Sequence, residues 1–361
     1  MAPQFNAYEL DRAHQSLEHR PDLVGMTQAE LEAFFADTGK ERYRATQVMK
    51  WIHQGLAASF ETMTNLSRQL RLELAERARI GSPRVETVSA SEDGTRKFLL
   101  ELEDGHHIET VLIPEEGHDT LCVSTQVGCA MGCRICRTAA IGFRRNLRAG
   151  EIVSQLLVVR RHVPDARITN LVFMGMGEPL ANLVNTVNAI RVLTHPNGPG
   201  ISWRRLTVST SGLVPGIREL ARRVRAKLAV SLNAVTDEQR SAIMPVNDRY
   251  PIAELLQAVR DYPLPRRDRV AIEYVLIRGF NDSDADARQL VRILNPIRAK
   301  VNLIALNDQG LPDLRAPEPE RVLRFQEILM SRSLITIIRR SRGRDILAAC
   351  GQLAGKGTSG L

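Results

Sequence analysis

The stretch LCVSTQVGCAMGCRICRTA, residues 121–139, decides the fold of this chain. Its first six residues are β-rich, and a loop with three cysteines follows, in which Cys129, Cys133 and Cys136 are spaced as CxxxCxxC. Three thiolates on one loop can bind iron or zinc, because the thiolate is the ligating form of cysteine. The loop therefore predicts a metal centre placed directly after a strand.

The kind of metal follows from the number of ligands. A structural zinc site takes four protein ligands, and the candidates for a fourth are His106, His107 and Cys122. None of them gives the paired spacing of a zinc finger or ribbon. An iron–sulfur cluster held by only three cysteines leaves one iron open, which makes it a reactive site. Three buried cysteines acting as small hydrophobes are the weakest interpretation of a loop between glycines.

After residue 118 the chain alternates short β-rich runs with amphipathic helical stretches. The predicted strands are 121–126, 168–175, 205–211, 227–233, 270–277, 300–306 and 334–340. The predicted helices between them are 150–162, 181–194, 214–223, 252–261, 284–294 and 318–331. This rhythm indicates βαβ units and a parallel sheet, either barrel-like or doubly wound, with the active site at the carboxyl ends of the strands.

The N-terminal part has a different pattern. Residues 26–80 place apolar side chains three and four apart, which predicts a small helical domain. The following residues alternate around Asp104 and Gly105, which predicts a β-hairpin. Residues 1–25 are polar and weakly patterned, and we expect a loose arm.

Composition limits the partners and the compartment. The 361 residues carry a formal net charge of +8, which favours a polyanionic partner. Only 4% of residues are aromatic, so base stacking on many exposed rings is not the expected mode of binding. No run approaches the roughly 20 apolar residues that span a bilayer, and the N-terminus lacks the apolar core of a signal peptide. Five cysteines, four of them clustered, fit a reducing cytoplasm and no membrane association.

Further motifs carry a resemblance to a known family. A CxxxCxxC loop that opens an α/β barrel is similar to the signature of radical S-adenosylmethionine (SAM) enzymes. The surrounding motifs resemble the RlmN/Cfr family of RNA adenine methyltransferases. They are IETVLIPE (108–115), FMGMGEPLAN (173–182), RLTVSTSGLVP (205–215), LAVSLNA (228–234) and RGRDILAACGQLAG (342–355), with YRATQVMKWIH (43–53) in the helical region. The resemblance covers the chain from about residue 26 to 355.

The resemblance implies a fold and a domain plan. The fold is α/β: a partial (βα)6 radical SAM barrel with a small N-terminal helical accessory domain. The expected units are a loose arm (1–25), the accessory domain as an RNA-binding candidate (26–85), a β-hairpin lead-in (86–114), the barrel (115–344) and a C-terminal segment (345–361) that carries Cys350.

The resemblance also implies the cofactors and the residues that hold them. Cys129, Cys133 and Cys136 match the ligands of one [4Fe–4S] cluster, and SAM chelates the open iron, with two SAM molecules used per turnover. Glu178 matches the carboxylate partner of the SAM ammonium. The remaining SAM contacts implied by the family are Gly177, Ser209, Ser231, Leu232, Asn233 and Asn307.

Two further cysteines match catalytic positions of the family. Adenine C2 and C8 are electrophilic carbons, so direct transfer of an electrophilic methyl group cannot work there. In the family a cysteine that matches Cys350 first takes a methyl group from one SAM, and the radical derived from a second SAM activates that methyl for addition to the adenine. Cys122 matches the thiol that releases the product by forming a disulfide with Cys350. Glu109 matches the proton acceptor.

The implied substrate is adenosine 2503 of 23S rRNA, with adenosine 37 of tRNA as a second target. An external electron donor such as flavodoxin or ferredoxin is implied as well. Four arginines before Cys350, namely Arg339, Arg340, Arg342 and Arg344, either form a solvated face or bind phosphates. The adenine has to leave its stack to reach the methyl group.

Alternatives stay open at this point. Within the family, methylation at C8 of the same rRNA adenosine competes with C2, which Pro179 favours weakly. Two departures from the family pattern, Arg137-Thr138-Ala139 and Asn233 in place of histidine, leave room for a paralogue with another RNA target. Outside the family, the chain could be an RNA-binding protein with a structural metal site, or a radical SAM enzyme acting on a peptide or small molecule.

Overall fold

The structure is a computed structural model, and it describes residues 20–307 and 313–355. Most of the arm expected at residues 1–25 and the last residues of the expected C-terminal segment, 356–361, lie outside this described part. Within the described ranges, none of the helices has both the length and the apolar character needed to cross a membrane.

The predicted helical domain is present. Its helices are α1 (Gln28–Asp37), α2 (Tyr43–His53) and α3 (Arg68–Arg77). α1 begins at a capping box, in which Thr27 and Glu30 each satisfy the other's backbone N–H. The boundary predicted at residue 25 is wrong for the described residues: Leu23–Gly25 form a 3-10 turn, and Leu23 and Val24 are fully buried. Two large aliphatic side chains fix this segment to the core because their burial stabilises it by about 2 kcal/mol each.

His53 at the end of α2 is fully buried, and within the described residues neither ring nitrogen has a hydrogen-bond partner. Burial lowers the pKa of His53 from 6.5 to about 3, and the charges of Arg160 and His195 act in the same direction. The folded state therefore prefers the neutral ring. The stability of the fold is complete above pH 6.5 and decreases as the pH falls towards 3.

We expect the His53→Leu variant to lose less stability than the wild type between pH 7.5 and pH 5. At pH 5 the burial of a neutral His53 costs about 2 kcal/mol, because each pKa unit corresponds to about 1.4 kcal/mol. Urea unfolding followed by far-ultraviolet circular dichroism at the two pH values measures the difference. Equal losses in both proteins would show that His53 is not buried as a neutral group.

Beyond the helical domain, the residues that the structure describes form one ten-stranded sheet, in the order β1-β2-β3-β4-β7-β8-β9-β10-β11-β12. The strands are β1 (Arg84–Ala90), β2 (Arg96–Glu101), β3 (His107–Glu115), β4 (His118–Cys122), β5 (Gln126–Gly128), β6 (Phe143–Asn146), β7 (Ile168–Phe173), β8 (Leu206–Thr210), β9 (Lys227–Ser231), β10 (Val270–Leu276), β11 (Ala299–Ala305) and β12 (Thr336–Ile338). β5 and β6 form a separate antiparallel pair. From β4 through β12 the neighbours in the large sheet are parallel, so their carboxyl ends share one edge.

Helices connect these parallel strands. They are α4 (Arg137–Ala140), α5 (Ala149–His162), α6 (Leu183–Thr194), α7 (Val214–Arg223), α8 (Asp237–Ile243), α9 (Ile252–Asp261), α10 (Asp284–Leu294) and α11 (Pro319–Met330). The mixed α/β architecture, with the helical region at its N-terminal side, confirms the predicted fold class. Buried branched side chains of the strands, such as Val208, Val230 and Val301, form the core between the sheet and the helices.

Two details differ from the sequence prediction. The first barrel strand is β4 at 118–122, not 121–126. Val123 N still donates to Val172 O at 2.9 Å, but residues 123–125 belong to no strand, Thr125 N donates to Met176 O at 2.8 Å beyond the end of β7, and Gln126 begins β5. The expected hairpin around Asp104 and Gly105 is the β2–β3 pair, but β1 extends it to a meander, and β3 pairs antiparallel with β4. The meander therefore belongs to the barrel sheet.

Candidate active site

A cavity opens at the carboxyl ends of the parallel strands, and the loops that follow them supply its walls. Among its lining residues are Cys129, Cys133, Cys136, Gly177, Glu178, Ser209, Ser231, Asn233, Glu273, Asn307 and Cys350. These residues are spread over more than 200 positions of the sequence. The parallel sheet brings them to one edge. This is the edge at which α/β folds build their active sites.

The three-cysteine loop follows β5 and ends in α4. Gly128 at its start has a φ of 73°, and a Cβ there would lie 1.7 Å from Gly142 O, so only glycine lets the loop close against β6. Burial raises the pKa of the Cys129 thiol to about 12 and that of Cys133 well above its usual value. Metal binding would release these protons.

The donor set fits an iron–sulfur cluster better than a single ion. In the described part of the chain, no group of three or more His, Cys, Asp or Glu side chains is arranged to hold one metal ion. A four-ligand zinc site with His106, His107 or Cys122 is therefore not formed by the described residues. Three thiols that line one cavity without converging on a point suit a cluster in which each cysteine binds a different iron.

Glu178 is held rigidly in the loop after β7. Its carboxylate accepts hydrogen bonds from Ser211 N (2.7 Å), Ser211 Oγ (2.8 Å) and Leu180 N (3.1 Å), and its own N–H donates to Gln126 Oε1. Burial raises the pKa of this carboxyl. Gly177 beside it has a φ of 95°, and a Cβ would lie 2.5 Å from Gln126 Cβ. Only a glycine lets the backbone approach the cavity this closely at position 177.

Asn307 and Asn233 lie two residues beyond the ends of strands β11 and β9. Asn307 Nδ2 donates to Cys350 O at 3.1 Å, while its buried Oδ1 has no hydrogen-bond partner within the described residues. Such an orphaned oxygen beside a cavity indicates a missing polar ligand. Asn233 has a positive φ of 58°, which asparagine tolerates well. Its Oδ1 accepts from Val275 N at 2.9 Å, so the departure from histidine has a structural role.

Cys350 reaches the cavity because its segment is bound from several sides. Arg137 N donates to Gly351 O (2.7 Å), Thr138 Oγ1 to Leu353 O (2.6 Å), and Lys97 Nζ to Leu347 O (3.3 Å). Cys350 is exposed to solvent through the cavity. The surrounding chain still displaces enough water to raise the pKa of its thiol to about 11, and the Glu273 carboxylate adds to this.

Cys122 and Glu109 are buried and are not among the residues that line the cavity. Cys122, the last residue of β4, is buried; burial raises its pKa, with a smaller contribution from a charge on Cys350, so the two thiols are within electrostatic reach. Glu109 on β3 is buried too, although a glutamate on an alternating strand is usually exposed. Its carboxylate pairs with Lys97 Nζ at 3.0 Å and accepts from Ala354 N at 2.7 Å.

Comparisons with known proteins agree with this arrangement. A family model described as the ribosomal RNA large subunit methyltransferase N-terminal domain matches residues 21–80, and the radical SAM superfamily model matches residues 123–291. The chain is 52% identical to the dual-specificity RNA methyltransferase RlmN of Syntrophotalea carbinolica, over 93% of this chain and 90% of that protein. It is 50% identical to the RlmN of Geobacter sulfurreducens, over 93% and 92%.

The chain belongs to the RlmN family. A crystal structure of a radical SAM methyltransferase from Sphaerobacter thermophilus is also similar, with a TM-score of 0.89 and 45% identity over 93% of this chain and all of that chain. The chain is therefore an enzyme of the radical SAM class. Members of that class use SAM and a [4Fe–4S] cluster, and the donor set described above fits both.

The cavity of this RlmN-family enzyme brings together many of the residues that the sequence singled out. Ten of the predicted site residues line it: Cys129, Cys133, Cys136, Gly177, Glu178, Ser209, Ser231, Asn233, Asn307 and Cys350. Cys122, Glu109 and Leu232 are not among the lining residues. The Leu232 side chain is fully buried in the core, and its backbone N–H donates to Glu273 O at 3.0 Å.

Glu273 and Arg240 are two charged residues at this RlmN-family site that the sequence did not predict. Glu273 lines the cavity and accepts from Asn302 Nδ2 at 2.7 Å, and burial raises its pKa. An acidic residue in the apolar strand VAIEYVLI was a visible signal. Arg240 is fully buried and donates to the carbonyl oxygens of Ser211, Ser231 and Leu232, which joins the loops after β8 and β9. Its position in the polar helix α8 gave no signal.

Proposed function

We propose that this enzyme methylates carbon C2 of adenine in RNA, at adenosine 2503 of 23S rRNA and adenosine 37 of tRNA. The observation that carries the proposal is the position of Cys350, which lies in the cavity lined by the three-cysteine loop and Glu178. The dual specificity named for the RlmN relatives, at about 50% identity over most of the chain, supports the two RNA targets. The proposed substrates are cytoplasmic RNAs, so we expect the enzyme in the cytoplasm.

Cys129, Cys133 and Cys136 are the proposed ligands of one [4Fe–4S] cluster. When bound, a cluster here would supply the one-electron reduction of SAM that activates the methyl group, with the electron coming from an external donor such as flavodoxin or ferredoxin. Glu178 would bind the SAM ammonium, since its carboxylate is oriented by Ser211 and Leu180. The unsatisfied Asn307 Oδ1 supplies a polar contact nearby. Gly177, Ser209, Ser231, Asn233 and the Leu232 backbone complete the proposed contacts.

The Gly177→Ala variant is expected to bind SAM about tenfold more weakly. A left-handed φ and the clash with Gln126 cost about 1–3 kcal/mol or displace Glu178, and 1.4 kcal/mol corresponds to a factor of ten. Equilibrium dialysis of reconstituted protein measures the affinity. Gly200→Ala is the matched control, because Gly200 has a φ of 71° and open space around it. Equal affinities in both variants would remove Gly177 from the SAM site.

Cys350 is the proposed carrier of the methyl group. Its thiolate takes the methyl from one SAM by displacement, and the sulfur then holds the methyl carbon in the cavity until it bonds to the adenine, while a second SAM is consumed in activating it. Cys122 is the proposed second thiol. Its thiolate attacks the Cys350 sulfur, so that an S–S bond forms as the bond from that sulfur to the methylene carbon on adenine breaks, and the released carbon takes up a proton to become the methyl group. The electrostatic coupling of the two thiols supports this pairing.

Glu109 is the proposed acceptor of the ring proton. Two observations support this role. Glu109 is buried, and its carboxylate accepts a hydrogen bond from Ala354 N, in the segment that carries Cys350. Its Oε2 accepts hydrogen bonds from the N–H groups of Ala354 and Gly355, and its Oε1 pairs with Lys97 Nζ.

Mass spectrometry of nucleosides tests the substrate and the position. Anaerobically reconstituted enzyme is incubated with SAM, a reductant, and transcripts of 23S rRNA and tRNA. The proposal predicts 2-methyladenosine in both RNAs. Formation of 8-methyladenosine would place the enzyme in the C8 branch. Absence of any methylated adenosine in both RNAs, with SAM cleaved normally, would overturn the substrate assignment.

A further inference from the structure

The edge of the sheet opposite the cavity carries a concentrated positive charge. Six segments connect a helix to the amino end of the next parallel strand: 163–167, 195–205, 224–226, 262–269, 295–298 and 331–335. Each contains at least one exposed arginine, and together they hold Arg167, Arg204, Arg205, Arg225, Arg266, Arg267, Arg269, Arg298 and Arg332. We call these nine residues the arginine rim.

The arginine rim holds nearly all of the protein's excess charge. Its nine arginines face two acidic residues in the same segments, Asp165 and Asp268, which leaves a net charge of +7 against +8 for the whole chain. In the described part of the chain, no salt bridge includes any of the nine. By contrast, Arg222 and Arg223 at the end of α7 both pair with Glu219. An uncompensated patch of one sign repels itself, and a polyanion relieves that repulsion.

Parts of the rim are held in place by internal contacts. The Arg298 guanidinium donates to the carbonyl oxygens of Leu264, Pro265 and Arg266, at 3.1–3.3 Å, and so holds the loop that presents three other arginines. The Arg204 guanidinium lies 4.9 Å from the Trp203 ring centre. A binding surface whose backbone is already fixed in this way loses less conformational entropy on binding than a flexible loop does.

The rim adjoins the helical accessory domain. Gln54, just after α2, donates to Pro196 O at 2.8 Å and Gly198 O at 3.1 Å, both in the segment that carries Arg204 and Arg205. RNA held by that domain can therefore continue along the rim. The rim lies at the other end of strands of five to seven residues, about 20 Å from the cavity edge at 3.3 Å per residue. A phosphate that reaches it belongs to a nucleotide remote from the reacting adenine.

On the basis of the proposed function, we propose that the arginine rim is a second RNA-binding surface, which contacts the phosphate backbone of a segment distant from the target adenosine. Arginine binds phosphate in a sequence-independent way, so the rim adds affinity for a large structured RNA without reading its sequence. A short stem-loop that carries only the target adenosine does not reach it. The rim therefore distinguishes a large folded RNA from an isolated hairpin.

The test compares two double variants of the full-length protein. Arg225→Gln/Arg267→Gln removes two rim charges, whereas Arg218→Gln/Arg288→Gln removes two exposed arginines from the outer faces of α7 and α10. RNA affinity is measured against salt for a long 23S rRNA transcript and for the short stem-loop. We expect the rim variant to bind the transcript about tenfold more weakly at low salt and to lower the salt slope by about one to two.

The controls decide between the proposal and its rivals. We expect the helix-face variant to keep the wild-type slope, and both variants to bind the stem-loop like the wild type. Equal slopes of the two variants on the long transcript overturn the proposal. A slower reduction of the rim variant by flavodoxin, with RNA binding intact, would assign the rim to an acidic protein instead. The experiment measures RNA binding and not methylation. Its result can therefore be interpreted even if the proposed methylation reaction is wrong.

Discussion

Cys350→Ala protein is expected to bind RNA with wild-type affinity and to form no methylated adenosine. The substitution removes the only thiol that lines the cavity outside the three-cysteine loop among the described residues, and removal of a nucleophile lowers turnover by at least about a thousandfold. Residues 351–355 keep their backbone contacts to Arg137 and Glu109, so the segment stays in place. Nucleoside mass spectrometry gives the activity, and filter binding gives the affinity.

The Cys122→Ala variant should behave in the opposite way. It keeps the methyl carrier but lacks the thiol that releases the product, so a covalent protein–RNA species is expected to accumulate. Denaturing gel electrophoresis detects that species, and the Cys122→Ala/Cys350→Ala double variant should lack it. Normal turnover of Cys122→Ala without a trapped species would refute the two-cysteine scheme.

Cys133→Ala is expected to eliminate the iron–sulfur centre, and with it SAM cleavage and RNA methylation. Cys133 is half-buried on the loop between Cys129 and Cys136, and a cluster with two remaining ligands is not held stably. Iron analysis and the broad visible absorption after anaerobic reconstitution measure the loss. The expected result is iron content near background with an unchanged far-ultraviolet circular dichroism spectrum.

The two other cysteines provide the matched controls. Cys122→Ala and Cys350→Ala should both retain wild-type iron content, because the proposal places neither sulfur on the cluster. Loss of iron in Cys350→Ala would make that residue a fourth ligand. Full iron retention in Cys133→Ala would show that the three-cysteine loop is not the cluster site.

Periodicity predicted the barrel well, since three helices, α7, α9 and α10, have the predicted bounds. Each has an apolar face with a repeat near 3.6 residues, which depends on local sequence alone. Leu23 and Val24 were missed because two apolar residues in a polar stretch carry no period. Their burial depends on α5 and the accessory helices, which only the tertiary fold brings to them.

The site was predictable where a motif or a strand end marked a residue. Glu178 follows β7, and the cysteine loop follows β5, which comes shortly after the end of the neighbouring strand β4, so both lie at one edge of the sheet. Arg240 was not predictable, since its partners are three carbonyl oxygens that the sequence does not distinguish from any others. The contact between Glu109 and Ala354 joins residues 245 positions apart, and no local pattern reports such a contact.

We propose that the methyl group reaches the adenine by way of Cys350, and a single-turnover transfer can follow it from SAM to RNA. Enzyme is first methylated with isotopically labelled SAM, peptide mass spectrometry locates the label, and the protein is then given RNA, reductant and unlabelled SAM. We expect the label on Cys350 before the reaction and in the methyl group on C2 of adenine afterwards. A label on another residue, or methylated RNA without label, would contradict it.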